Sequence, residues 1–76
     1  MIGGRTLTLN EAIIRVLGQE ALTYREITDT INEQRLYIPR DGMLVPRAQV
    51  RAVIRESSRF FDIDRSRSAH KVRVHR

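Results

Sequence analysis

The stretch FDIDRSRSAHKVRVH, residues 61–75, alternates between apolar and polar side chains on both sides of a polar middle section. Successive side chains of a β-strand point to opposite faces, so each alternating run predicts a strand with one apolar face. Phe61 and Ile63 face inward in the first predicted strand, and Val72 and Val74 do so in the second. The polar residues between the two runs then form the tip of a β-hairpin.

Immediately before this hairpin, the stretch VPRAQVRAVIRE at residues 45–56 has the periodicity of a helix. Pro46 suits the first position of that helix, where the missing N–H of proline costs nothing. Val50, Val53 and Ile54 fall on one side at about 100° per residue and predict the core face. The outer face carries Arg47, Ala48, Arg51, Ala52 and Arg55, with Gln49 and Glu56 on a flank.

Two capping boxes further upstream predict the starts of two more helices. In each box a threonine is followed three positions later by a glutamate, a spacing that satisfies the first backbone N–H groups of a helix. Thr8 and Glu11 open the first helix, which ends at the stop signal Gly18. Thr23 and Glu26 open the second helix.

The remaining segments connect these elements. Residues 21–23 predict a short strand before the second helix, whose Ile27 and Ile31 face inward. Ile38 is expected to extend the buried surface beyond the end of that helix. Residues 36–45, LYIPRDGMLV, contain turn-forming proline, aspartate and glycine and predict a loop about ten residues long.

The order of the predicted elements is helix, short strand, helix, loop, helix and hairpin. This order predicts an α+β fold, a small winged helix-turn-helix with three helices and a C-terminal two-stranded β-hairpin wing. A chain of 76 residues supports a single modest core, because it buries only about 60% of its unfolded surface. Residues 1–6 are expected to be a flexible N-terminal lead-in, and residues 7–76 the winged-helix domain.

The composition excludes several classes of protein. The chain has no cysteine, so it forms neither disulfides nor thiolate metal sites, and this suits a reducing compartment. Its apolar runs are too short to cross a membrane, and its N-terminus lacks the apolar section of a signal peptide. We therefore expect a cytoplasmic or nucleoid-associated protein, or a nuclear one in a eukaryote.

Positive charge is concentrated in the C-terminal part of the chain, which has a net charge of +5 in all. Residues 1–44 carry five basic and six acidic side chains, a net charge of −1. Residues 45–76 carry nine basic and three acidic side chains, a net charge of +6. Such a one-sided field favours a polyanionic partner, either nucleic acid or an anionic membrane surface.

The third predicted helix is the first candidate for contact with DNA. Arginine presents a planar fork that matches phosphate and the major-groove edge of guanine. Two alanines on the same face allow close approach, and Gln49 could bind adenine through two hydrogen bonds. The alternative is a solvated face that only keeps a small domain soluble.

The wing supplies a second set of cations, which are expected to contact the DNA backbone. They lie at its tip and on outward strand positions, and Arg25 near the start of the second helix adds to them. The full set of expected DNA-binding residues is Arg25, Arg47, Ala48, Gln49, Arg51, Ala52, Arg55, Arg65, Arg67, Lys71 and Arg73.

The sequence lacks the motifs of an enzyme or a metal site. His70 and His75 have no carboxylate or cysteine cluster near them, so no zinc site is expected. Asp62 and Asp64 are expected to form salt bridges with Arg73 or Lys71. No glycine-rich phosphate loop or activated nucleophile is present, so the chain is expected not to be an enzyme by itself and to need no cofactor.

The same residues resemble the HARE-HTH family of winged-helix domains, found in chromatin proteins and restriction endonucleases and similar to the bacterial RNA polymerase delta subunit. The resemblance covers roughly residues 7–74 and lies in LNEAIIRVL at 9–17, in LTYREIT at 22–28, and in the third helix and wing. Three features depart from the family pattern. Val45 replaces a threonine, Arg35 replaces a glycine, and the wing tip has no glycine.

The resemblance implies a module that binds double-stranded DNA as part of a larger protein, such as a restriction endonuclease with a fused nuclease domain. It also implies a possible reading of modified DNA, because some related domains recognise N6-methyladenine in duplexes. The alternative that it implies is a protein–protein interaction module of a transcription or chromatin complex. The isolated domain is expected to be a monomer.

Overall fold

The computed structural model of the protein describes residues 7–66 and 68–75. The predicted lead-in, residues 1–6, and the predicted wing contact Arg67 lie outside the described residues. The elements follow the predicted order and form a small α+β winged helix-turn-helix. They are α1 (Leu9–Leu17), β1 (Leu22–Thr23), α2 (Tyr24–Gln34), α3 (Arg47–Glu56), a 3₁₀ turn (Ser58–Phe60), β2 (Phe61–Asp64) and β3 (Lys71–Val74).

Both predicted capping boxes are formed. The hydroxyl of Thr8 accepts from the Glu11 N–H at 3.2 Å, and the Thr8 N–H donates to the Glu11 carboxylate at 2.9 Å. Thr23 and Glu26 make the same two bonds at 3.1 and 2.9 Å. These bonds satisfy backbone donors that a helix leaves unpaired at its N-terminus, which explains why α1 and α2 begin where the sequence predicts.

Helix α2 ends at Arg35, which is in the left-handed conformation with φ 52° and ψ 42°. The next N–H, that of Leu36, donates to the Ile31 carbonyl at 3.1 Å and closes the last turn. This conformation is the one that glycine adopts without strain, and it costs an ordinary residue about 1–2 kcal/mol. Arg35 therefore occupies its position at the expense of local stability.

The connection between α2 and α3 is fixed by the side chain of Asn32. Its amide donates to the Val45 carbonyl at 3.0 Å and accepts from the Val45 N–H at 2.8 Å. The prediction that Ile38 is buried is wrong, since 39% of its surface is exposed. The chain has already turned away from the core there, toward the turn in which the Gly42 N–H donates to the Pro39 carbonyl at 2.9 Å.

Helix α3 begins one residue later than predicted. Pro46 has φ −75° and ψ 146°, so it is the extended N-cap residue and Arg47 is the first helical residue. The Pro46 carbonyl accepts from the Gln49 N–H at 3.0 Å. The N-cap residue Pro46 makes no side-chain hydrogen bond to this helix, in contrast to Thr8 of α1 and Thr23 of α2.

The wing belongs to a three-stranded antiparallel sheet with the order β1-β3-β2. The predicted two-stranded hairpin of β2 and β3 is formed, and β1 adds a third strand by pairing with the outer edge of β3. Thr23 lies opposite Lys71, and β2 pairs along the other edge of β3. The added strand satisfies backbone groups that an open edge would leave unpaired. Strand β3 ends at Val74, so His75 lies just beyond it.

The three helices pack against one another, while α1 contacts β3 and α2 contacts β1. The inward positions predicted on α2, α3 and the hairpin are buried or packed against the buried cluster. A single hydrogen bond, from the Asn10 amide to the Ser57 hydroxyl at 3.0 Å, joins the start of α1 to the end of α3. The buried apolar residues are Leu9, Ala12, Ile13, Leu17, Ile27, Ile31, Val45, Val50, Ile54, Phe61 and Val72.

Candidate nucleic-acid interface

An open groove of about 930 Å³ lies between the outer face of α3, the first turn of α2 and the tip of the wing. Three elements that are distant in sequence thus form one surface. Its lining residues are Thr23, Tyr24, Arg25, Arg47, Ala48, Arg51, Ala52, Arg55, Ser68, Ala69 and His70.

Helix α3 contributes five residues to the groove, all of them predicted contact residues and all exposed. Arg47, Arg51 and Arg55 are spaced four residues apart, which places successive arginines about 6 Å apart along the helix axis. Ala48 and Ala52 lie on the same face. The three arginines thus form a row of cations, and the short apolar side chains of the alanines lie between them.

Tyr24 supports the middle of this row. The Cζ atom of Arg51 lies 5.9 Å from the centroid of the Tyr24 ring, within range of a cation–π interaction. Such a contact contributes about 0.5–1 kcal/mol at an exposed site. Tyr24 is half-buried and packs against the hydrophobic core, so it contributes to both the core and the groove.

Arg25, the predicted contact on α2, also lines the groove. Its Nε lies 3.7 Å from Oδ2 of Asp29, one turn further along the helix, and both side chains are largely exposed. An exposed pair at this distance contributes little to stability. Arg25 can therefore exchange this carboxylate for another anion at small cost.

Several predicted contact residues lie outside the groove. Gln49 is exposed on a flank of α3 but does not line it, and the same holds for Arg65, Lys71 and Arg73 of the wing. Lys71 is half-buried beside Thr23, and Arg73 is paired in register with Asp62. The structure thus places the cations of α3 and α2 in one groove, whereas Arg65, Lys71 and Arg73 of the wing lie outside its lining.

The groove includes five residues that were not predicted to contribute to it: Thr23, Tyr24, Ser68, Ala69 and His70. They lie there because β1 pairs with β3, which places the start of α2 beside the wing tip. In the sequence, the apolar Leu22 before the second capping box indicates a short strand, and a strand must pair with another strand. The identity of that partner, about fifty positions along the chain, is not readable from local pattern.

Glu26 fixes the part of α2 that faces the groove. The hydrogen bonds from the backbone and then the side chain of Thr23 lower the pKa of Glu26 from its ordinary value of 4.5, and the charge of Lys71 adds to this effect. Glu26 is thus a carboxylate at neutral pH. It holds the first turn of α2, which presents Tyr24 and Arg25.

Asp62 pairs with a residue other than the predicted one, and Asp64 bonds to the neighbouring Ser66. Asp62 Oδ1 lies 2.9 Å from His75 Nδ1, so the predicted pairing of Asp62 with Arg73 or Lys71 is wrong. His75 is two residues beyond the cross-strand neighbour Arg73 and reaches Asp62 diagonally. Asp64 accepts hydrogen bonds from the Ser66 N–H at 2.9 Å and from the Ser66 hydroxyl at 2.6 Å.

Residues 7–66 and 68–75 offer neither a metal site nor a membrane span. Within these ranges no three histidine, cysteine, aspartate or glutamate side chains are grouped so that they could hold a metal ion. None of the helices described there is long and apolar enough to cross a membrane.

The fold and the groove define a small winged helix-turn-helix domain with an arginine-lined surface. Comparisons with protein-family models, with curated proteins and with solved structures return no significant match for this chain. The function of the domain is therefore inferred from the chemistry of the groove.

Proposed function

We propose that this chain is a module that binds double-stranded DNA. The observation that carries the proposal is the convergence of Arg25, Arg47, Arg51 and Arg55 on one open groove. Among the described residues, the carboxylate paired with any of these four is the exposed Asp29. A groove with several available guanidinium groups and no buried counter-charge suits a polyanion that presents many phosphates.

In this proposal α3 lies in the major groove of DNA. Ala48 and Ala52 allow the helix backbone to approach the base edges, and the arginines reach phosphates or guanine. Gln49 contacts the DNA only where the duplex extends past the flank of α3. Arg65, Lys71 and Arg73 of the wing lie outside the groove lining and contribute contacts to the DNA backbone, as does Arg67 in this proposal.

We further propose that the module targets a larger protein to DNA, as in a restriction endonuclease, and that it belongs to the HARE-HTH family. The order of elements, the two capping boxes and the stretch LTYREIT support this membership. The module itself performs no catalysis in this proposal. A protein of this kind works in the cytoplasm at the nucleoid, or in a nucleus.

Reading of modified bases is the finer part of the proposal. The methyl groups of N6-methyladenine and 5-methylcytosine both project into the major groove. Alanine side chains make favourable apolar contacts with methyl groups there, as they do with the thymine methyl. Ala48 and Ala52, exposed between the arginines, are the residues suited to such a contact.

A salt titration tests the proposal of DNA binding. If about five phosphates are neutralised, log K for a duplex falls with log salt at a slope of about −4 to −5. Fluorescence anisotropy with a labelled duplex measures this slope. Absence of binding at low salt, or binding that salt does not weaken, would refute the proposed function.

A second titration tests the reading of modified bases. It compares one duplex sequence in its unmethylated, adenine-methylated and cytosine-methylated forms. Tighter binding of a methylated form, lost in A48G and A52G, is the expected result. Equal affinity for all three forms excludes a modification reader and leaves the proposal of DNA binding intact.

A protein-interaction module remains the second candidate, and the loop between α2 and α3 favours it. Met43 and Leu44 are 68% and 67% exposed in this loop, outside the arginine groove. Substitution of both by serine would abolish binding of a protein partner in a two-hybrid assay, whereas R51E/R55E would abolish DNA binding. If R51E/R55E leaves DNA affinity unchanged while the serine pair disrupts a complex, the second candidate replaces the first.

A further inference from the structure

Arg51 differs from the other arginines of the groove because an aromatic ring holds it. Its guanidinium carbon lies 5.9 Å from the centroid of the Tyr24 ring. Tyr24 is anchored in turn, since it is half-buried and packs against the core. Arg51 is thus partly ordered before any ligand arrives.

The two neighbouring arginines of α3 have no such support. Arg47 and Arg55 are exposed and make no ion pair and no ring contact with any residue in the described part of the chain. Their long side chains retain their rotamer freedom, and binding must remove it. Of the three arginines of α3, Arg51 is therefore restrained by a ring contact, whereas Arg47 and Arg55 are not.

Base recognition and phosphate binding place different demands on arginine. Bidentate recognition of guanine requires the planar fork to meet O6 and N7 together, which fixes both its position and its orientation. A phosphate presents several oxygens and accepts a cation from many directions. A pre-ordered arginine consequently gains most from base recognition.

The position of Arg51 agrees with this division. It is the middle member of the row, about 6 Å along the axis from Arg47 on one side and from Arg55 on the other. Ala48 and Ala52 are its short neighbours on the same face. A helix placed in a major groove therefore brings Arg51 over the base edges and its two neighbours nearer to the phosphate backbones.

We infer that Arg51, held by Tyr24, gives this groove a preference for guanine, whereas Arg47 and Arg55 bind phosphates. Arg51 is then the specificity-determining residue and Tyr24 its positioning residue. The inference rests on the proposed binding of duplex DNA, and it names the chemical group that the groove reads.

The test compares two duplexes that differ in one kind of hydrogen-bond acceptor, the N7 atom of guanine. One is a G·C-rich duplex, and the other is the same duplex with every guanine replaced by 7-deazaguanine. This replacement removes N7 from the major groove but leaves the phosphates and the minor groove unchanged. We expect the protein to bind the guanine duplex at least about 5-fold more tightly, the lower bound for loss of a bidentate contact.

Conservative variants then identify the residue that is responsible. R51K keeps the charge but lacks the fork, so the affinity ratio of the two duplexes should fall to near one while the salt slope stays the same. R47K and R55K should keep the ratio. R15K, an exposed arginine on α1 outside the groove, is the matched control for the change of residue type.

Tyr24 is tested with two variants, because its ring also packs against the core. Y24F keeps the ring and should keep the ratio, whereas Y24L removes the ring and should reduce it. Circular dichroism of Y24L establishes whether the domain still folds, and R51K decides the outcome if it does not.

The possible results separate the inference from the proposed function. No binding to either duplex overturns both of them. Salt-dependent binding with equal affinity for the two duplexes overturns the inference alone, as does a ratio that is abolished by R47K or R55K but not by R51K.

Discussion

Helix α3 and the first turn of α2 both line the arginine groove, yet the starts of the two helices are held in different ways. Helix α2 carries its own cap, the reciprocal hydrogen bonds of Thr23 and Glu26. Helix α3 begins at a proline and has no side-chain cap. Its start is held from outside by Asn32 of α2, which binds both backbone groups of Val45. The position of α3 is thus a tertiary property, whereas the start of α2 is encoded locally.

Removal of the Asn32 contact should have the largest effect. N32A deletes two hydrogen bonds to Val45 and leaves its N–H unpaired, which should lower the free energy of unfolding by about 1–3 kcal/mol. Urea denaturation measures this change. Q34A, an exposed substitution two residues further along α2, is the control and should change stability little. A loss in N32A no larger than that in Q34A would show that the start of α3 needs no clamp.

Loss of the local cap of α2 should have a smaller effect. T23A removes the hydroxyl that accepts from the Glu26 N–H, and it should destabilise the domain by about 1 kcal/mol. T30A replaces a threonine inside the same helix whose hydroxyl bonds to the Glu26 carbonyl at 2.8 Å. It should not lower stability, because alanine favours the helix interior. Equal losses in both variants would contradict a capping role for Thr23.

The smallest effect is a dependence of stability on pH. Because the pKa of Glu26 is lowered in the folded state, the stabilisation that its carboxylate provides is fully present when the pH is above the ordinary pKa of 4.5. It disappears as the pH falls through the lower, folded pKa. In E26Q, the stability lost between pH 7 and pH 3 should be smaller than in the unmodified protein. Thermal melting at both pH values checks this expectation, and equal losses would assign the acid sensitivity to other carboxylates.

The parts of the fold that the sequence predicts well are those encoded by neighbours in the chain. The capping boxes at Thr8 and Thr23 and the alternation in the wing depend on residues two to four positions apart. They place the elements within about one residue. The boundary errors at Ala21, Pro46 and His75 are a single position each, which is within the ordinary ambiguity of an element's end.

The features that escape prediction depend on contacts between distant segments. The pairing of Thr23 with Lys71 adds β1 to the wing and brings His70 to the groove. The contact between Tyr24 and Arg51 also depends on how α2 packs against α3. Helical periodicity groups the cations of α3 on one face, whereas the cations on outward strand positions of the wing do not line the groove.

The strand order β1-β3-β2 has a consequence for how the protein is made. Strand β3 leaves the ribosome after β1 and β2, yet it is the middle strand, and both of them pair with it. Neither β1 nor β2 can enter the sheet before residues 71–74 have been synthesised. The helices can form earlier, because the caps of α1 and α2 are local. The wing tip joins the groove only once β3 pairs with β1, a contact between residues far apart in sequence. A nascent chain therefore carries the arginines of α2 and α3 before the wing tip completes the groove that they line.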